Sequence, residues 1–335
     1  MILKDLLSKP LIFLLSILPL NFTSQVVINE ISAHKGYIDE YDENTDWIEI
    51  TNNLNTSIDL NNFYLSDQVN DLDKWQFPNY LISPNEKLVI CASGKSSSLY
   101  PNHWESIVKA EEDWKYSLGS SSISDNWNTN NFNDQSWLTA QGGFGYGDND
   151  DNTIIASNTI SIYLRKTFDI QDVNDISHLL FHADYDDGFI AYLNGIEIMR
   201  SNNFNTYFPS FNTITNNNHE AVLYSGGIPE EKLFNFEDVS DLLVQGNNLL
   251  AIQVHNSSYT SSDLSSNFYL SAGIISSNTT YQTLPNWLVP PTINMHTNFK
   301  LSNGEAIIIS NNSGAISDSV SVPNELSDSV SKLVE

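Results

Sequence analysis

Carboxylates are the residues through which this chain could do chemistry. In HADYDDGFIAYLNGIEIMR (182–200), Asp184, Asp186 and Asp187 crowd ahead of Gly188. In GDNDDNT, the spacing of Asp148, Asp150 and Asp151 lets their side chains converge on one hard cation. Calcium is the cation such oxygens take, and these three are the candidate metal ligands. The loop lacks the Glu that completes an EF-hand. A third acidic run, Asp39, Glu40, Asp42, Glu43 and Asp46, reads as a solvated loop that oxygen ligation could also serve. The Asp184–Asp187 group has two readings. Asp186 and Asp187 can shape a turn by accepting from backbone amides, or they can contact sugar or calcium. On the second reading the candidate ligand contacts are Tyr185, Asp186 and Asp187, with Asn194 at the next turn and His255 next to last in NLLAIQVHN.

Other chemistries find little support. A glycosidase needs two acids on opposite sides of the scissile bond, one with a raised pKa, and sequence does not separate such a pair from loop acids. No GxSxG is present. The seven histidines form no HExxH or paired metal spacing, and His178 and His182 read as packing residues. The single cysteine, Cys91, lies in the apolar run LVICAS, so a buried, inert thiol is expected and no intrachain disulfide can form. The expectation is a protein that is not an enzyme.

The elements that must position these residues read as strands. Phe189, Ile190, Tyr192 and Leu193 run into Asn194-Gly195, the strongest two-residue hairpin signal, because both positions tolerate positive φ. Ile196 and Ile198 then alternate with polar residues as in a half-buried strand. Elsewhere the polar surface is carried by Asn and Ser more than by charge, which favours turns and β-loops over helices. The chain has 14 basic and 41 acidic residues, a net charge of −27, which repels nucleic acid and anionic membranes. Hydrophobic residues make up 40%, enough for a sizeable core.

Lys4, Lys9 and the apolar run 11–20, followed by Asn21-Phe22-Thr23-Ser24, read as an export signal cleaved near Ser24. The run is too short and too Pro-broken for a membrane span, so no membrane insertion is expected after its removal. Short strands follow in VVINEI, DWIEITN, SIDLNNFYLSD and EKLVICAS, at sandwich spacing. Trp47, inside DWIEI, is expected in the core. A helix-compatible stretch, ESIVKAEEDWKYS, links to a second set of strands: SIYLRKTFDI, HLLFHADY, FIAYLNG, IEIMR, NLLAIQVHN and FYLSAGI. Gly142, Gly143, Gly145 and Gly147 mark a place where backbone must turn or pack closely. In the tail, LPNWLVPPTINM reads as a linker, and FKLSNGEAIIISNNSG echoes LISPNEKLVICASG.

Two resemblances follow from these residues. The set Val27–Ile31, Asp46–Asn52, Ile58–Asp67 and Ile82–Ile90 resembles the lamin-tail domain of bacterial secreted proteins. That resemblance implies an immunoglobulin-like sandwich with an attachment role and brings no catalytic residues. Trp137 with GGFGYGD, Ile162–Lys166, Asp184–Gly195 and Asn248–Asn256 resemble a galactose-binding-like jelly roll, in the version that precedes a spore-coat-protein-H-type kinase-like domain. No phosphate-cradling Gly-rich loop, HRD-like or DFG-like segment is found.

The sequence therefore predicts an all-β protein. A signal peptide spans 1–24, a lamin-tail-like β-sandwich 25–105 and a galactose-binding-like jelly roll 106–277. Residues 278–335 are expected to be a linker with partial lamin-tail-like strands that stop short of a closed sandwich. The expected function is exported, non-enzymatic binding or adhesion, secreted or at the cell surface. The expected partner is carbohydrate or a cell-surface polymer, with no nucleic acid. The competing readings are targeting modules of a truncated kinase-like or hydrolytic enzyme, and a structural spacer with no ligand.

Overall fold

A computed structural model describes residues 25–95, 100–147, 151–323 and 331–332. The expected signal peptide lies outside the described residues. The first sandwich opens with β1 (Val26–Ile38), β2 (Asn44–Asn52), β3 (Phe63–Ser66) and β4 (Lys87–Ala92). β2 lies between β1 and β4, antiparallel to both. Alternation decides what is buried: Ile48 and Ile50 face the core, fully buried, with Glu49 between them half-buried on the other face. Trp47 falls on that other face too and is half-buried, which corrects the expectation that it enters the core. Cys91 is buried and free, and burial pushes its thiol up to about 12, as an inert thiol requires.

The chain then leaves this sandwich and builds a second one. Its strands are β5 (His103–Val108), β6 (Asp113–Leu118), β7 (Ser161–Ile170), β8 (Ile176–Tyr185), β9 (Gly188–Leu193), β10 (Ile196–Arg200), β11 (Glu230–Phe234), β12 (Gly246–His255) and β13 (Ser266–Ile274). One sheet has the order Leu138–Gln141, β6, β7, β12, β9, β10; the facing sheet has the order β11, β8, β13, β5. A short helix, α1 (Phe236–Leu242), follows β11, its start fixed by a capping box between Asn235 and Asp238. Phe181, Phe189, Phe268, Leu164 and Ile252 fill the space between the sheets. The ESIVKAEEDWKYS stretch is not helical. It supplies β5 and β6, turning at Lys109–Glu112 from one sheet to the other. Ile107, Val108 and Trp114 are buried there, and burial on a pleated surface outweighs local helix preference.

The second sandwich is inserted into the first. Its two ends meet, since Ile274 pairs with His103 and the Asn102 amide donates to the Ile274 carbonyl at 2.6 Å. The chain then returns to the first sandwich as β14 (Met295–His296), β15 (Ala306–Asn311) and β16 (Ile316–Ser321). β14 runs parallel to β4, and β15 pairs antiparallel with β3, placing Ile309 opposite Leu65. Ile307 and Ile309 are fully buried in the first core. This corrects the expectation of an incomplete tail. Three strands cannot bury a core alone, but here they complete the sheet that β3 starts. The two sandwiches touch where Tyr41 Oη meets His178 Nε2 at 2.9 Å, beside the Glu40–His296 pair at 3.2 Å. Among the described residues no helix is long and apolar enough to cross a membrane.

Candidate functional site

The Asp184–Asp187 acids close β8, and two of them have structural duties. Asp184 Oδ1 accepts from the amides of Val222 (2.7 Å) and Leu223 (3.2 Å). Asp187 accepts from the amides of His219 at 2.9 Å and Ser257 at 2.7 Å, pinning two loops to one turn. Asp186 differs. It is 4% exposed and faces Asp187, Asp263 and Glu220. Burial first, and those negative neighbours second, push its carboxyl up to about 9, so it holds a proton at neutral pH. Asp186, Glu220 and Asp263 each place a carboxylate oxygen within 4.8 Å of the others. Two oxygens on one calcium stand at most about 5 Å apart, so the spacing suits that cation.

Of the expected metal ligands, Asp148 and Asp150 lie outside the described residues. Asp151 lies beside the same end of the sandwich. A Cβ on Gly145 would stand 2.1 Å from Asp151 Oδ1 and 1.9 Å from the Leu264 carbonyl, next to Asp263. A Cβ on Gly147 would stand 2.4 Å from the Ser262 carbonyl. The glycines are there because backbone presses on backbone, and this contact brings Asp151 to the segment that carries Asp263.

The remaining candidate contacts are engaged within the fold. Tyr185 is buried, donates to Glu230 at 2.9 Å and stacks on His219 at 4.1 Å. Asn194 takes φ 53° and Gly195 φ 89°, as the two-residue turn requires. Its amide donates to the Leu242 carbonyl and Asn248 Oδ1, and its oxygen accepts from the Leu249 amide. His255 is fully buried, with Nδ1 at 2.8 Å from the Thr213 carbonyl, and burial pushes its pKa down to about 4.

A sizeable concavity lies elsewhere, on the outer face of the six-stranded sheet. It has a volume of about 840 Å³. Tyr163, Tyr192 and Gln253 rise from β7, β9 and β12 into its lining, and Glu197 comes from β10. Loop 120–128 contributes Trp127 and Asp125, and loop 207–211 contributes Tyr207 and Phe208. Trp127 packs edge-on against Tyr163 at 4.8 Å and Tyr192 at 5.8 Å. Its loop is fastened to the sheet by Arg165, which is buried and donates to the carbonyls of Trp127 and Thr129 and to Asp134 at 2.9 Å. The opposite wall is fixed by Arg200, bidentate to Glu197 at 2.6 Å and 2.6 Å and stacked on Tyr207 at 4.2 Å. Phe208 is 80% exposed and Tyr207 62%. Large exposed aromatics beside a cleft are unusual on a soluble surface and mark contact sites.

Sequence reasoning missed this cleft, although a signal existed. Tyr163 lies between Ile162 and Leu164, Tyr192 between Ala191 and Leu193, and Gln253 between Ile252 and Val254. Strict alternation puts the apolar partners inward and these three on one outward face. Glu220 and Asp263 carried no such signal, being lone acids in Asn/Ser-rich loops.

The fold and its sites define the class: two largely antiparallel β-sandwiches, one inserted in the other, with an aromatic cleft on the inserted one. Residues 22–166 match the family model of the Lamin Tail Domain, and the chain carries that immunoglobulin-like domain. The matched stretch runs past β4 into β7, so it also takes in the start of the second sandwich; the hydrogen-bonded pairings, which return to β3 and β4 after residue 294, set the boundary of the first. No curated protein matches the chain. Among solved structures, a calcium-binding mutant of Bacteroides uniformis beta-glucuronidase 2 is similar at 13% identity and TM-score 0.31, covering 51% of this chain and 18% of that one. A beta-glucuronidase from an uncultured Clostridium sp. gives 14% and 0.33, over 52% and 30%. The beta-D-mannosidase of Dictyoglomus thermophilum gives 17% and 0.26, over 45% and 15%. The chain thus spans less than a third of each enzyme, and these overlaps carry no argument about activity.

Proposed function

We propose that this is an exported, non-enzymatic binding protein whose second sandwich recognises carbohydrate or a cell-surface polymer. The observation that supports it is the cleft of about 840 Å³, within the usual range for ligand sites. Aromatic faces suit the C–H faces of sugar rings, and Gln253, Asn128 and the acids supply polar groups for their hydroxyls. The lamin-tail sandwich serves as the attachment module in this reading. Calcium belongs to the same proposal, held by Asp186, Glu220 and Asp263 as a brace between the loops behind the cleft sheet. A glycan array with the wild-type chain and a Tyr207→Ala/Phe208→Ala double variant tests the reading. Binding that falls at least tenfold in the variant is expected; a chain that retains no glycan at millimolar concentration overturns it.

A further inference from the structure

We infer that the cleft selects uncharged glycans and rejects anionic ones. The inference rests on the glycan reading above and adds the class of glycan. Asp125 and Glu197 are the charged side chains of the lining, both acids, and among the described residues no Lys, Arg or His lines the cleft. Two guanidiniums stand beside it: Arg165 is buried on Asp134 and the carbonyls of Trp127 and Thr129, and Arg200 is committed too. It holds both oxygens of Glu197, donates to the Tyr207 carbonyl at 3.0 Å and is covered by the Tyr207 ring. A uronate, sialate or sulfate entering here meets the carboxylate of Asp125 and a Glu197 already paired with Arg200, and no uncommitted cation in the lining. The chain's net charge of −27 adds long-range repulsion of the same sign.

A neutral sugar meets the opposite situation. Its hydroxyls donate to the two carboxylates, and hydrogen bonds to a charged acceptor are about twice as strong as neutral ones. Selection therefore works by attraction of one class and by exclusion of the other. Glu197 is the determinant. Removing its charge both lifts a repulsion and frees Arg200 to receive an anion bidentately.

The test compares neutral glucan, mannan and galactan oligosaccharides with alginate, pectate and chondroitin sulfate oligosaccharides on the full chain, by calorimetry at low and moderate salt. Binding of at least one neutral series, with anionic series weaker by about tenfold or more at low salt, is expected. Glu197→Gln should raise uronate affinity by about tenfold or more, while Asp125→Asn, on the exposed rim, raises it less. A thermal melt of each variant shows whether the fold is kept. Anionic glycans bound as well as neutral ones by the wild type would overturn this inference and leave the glycan reading standing. No glycan of either class bound would overturn both.

Discussion

Asp186→Asn is the substitution whose effect follows most directly from the geometry. The folded state raises the Asp186 pKa from 3.8 to about 9, by burial and by Asp187, Asp263 and Glu220. Between those two values the unfolded chain has lost the proton that the folded chain keeps. Stability due to this group is therefore full below the unfolded pKa and declines as pH rises, until the folded pKa is reached. Each pH unit in that window costs about 1.4 kcal/mol. The wild type should thus carry a penalty of roughly 5 kcal/mol near about pH 7.5 and under about 2 kcal/mol near about pH 5. Asparagine cannot ionise, so the variant should show none of this slope, whatever its loss in packing. The assay is guanidinium unfolding of both chains in EDTA across that range, following the transition of the second sandwich. The quantity compared is the difference between the two pH profiles, which cancels the titrating groups that do not interact with Asp186. Parallel profiles would refute the reasoning, because they would mean that Asp186 ionises as freely in the folded protein as in the unfolded one.

The other predictions probe the cation, the insertion and the buried histidines. Millimolar calcium should stabilise the wild type against unfolding, by about 2.7 kcal/mol when the ion is at a hundred times its Kd, and leave Asp186→Asn unmoved; no shift in either chain removes calcium from the proposal. Ile309→Ala should destabilise the first sandwich by about 2–5 kcal/mol, since the side chain is fully buried in its core; an effect confined to the second sandwich's transition would contradict the strand pairing. Burial pushes His178, His182 and His255 down to about 4 from 6.5. Their neutral forms contribute stability that is present above the unfolded pKa and lost as pH falls towards the folded one. Near about pH 5.5 each should cost about 1.4 kcal/mol, and His255→Gln should flatten the acid limb of the profile by that amount. Unchanged acid sensitivity in this variant would show that His255 is already charged in the fold.

Much of the local structure was legible because its causes are local. Asn194-Gly195 makes its hairpin through positive φ at two adjacent positions, and no distant residue is needed for that. Gly145 and Gly147 announced close packing, and the structure shows the carbonyls they accommodate. Where a local preference competed with burial, it lost: ESIVKAEEDWKYS became two strands because Ile107, Val108 and Trp114 fit between sheets. The acids of 184–187 held both of their readings within one turn. Asp184 and Asp187 bind backbone amides, whereas Asp186 meets two acids from distant loops.

Sequence by itself determined the all-β class, the strand alternation and the turns, since those depend on side-chain period and backbone conformation over a few residues. Only the tertiary structure decided that β15 returns to β3, that Glu220 and Asp263 join Asp186, and that Trp127, Tyr192, Glu197 and Tyr207 share one cleft. Each of those is a pairing between segments far apart in the chain. Such pairings are chosen by sheet register and by the closing of loops around two cores, and neither leaves a signature in any short stretch of residues.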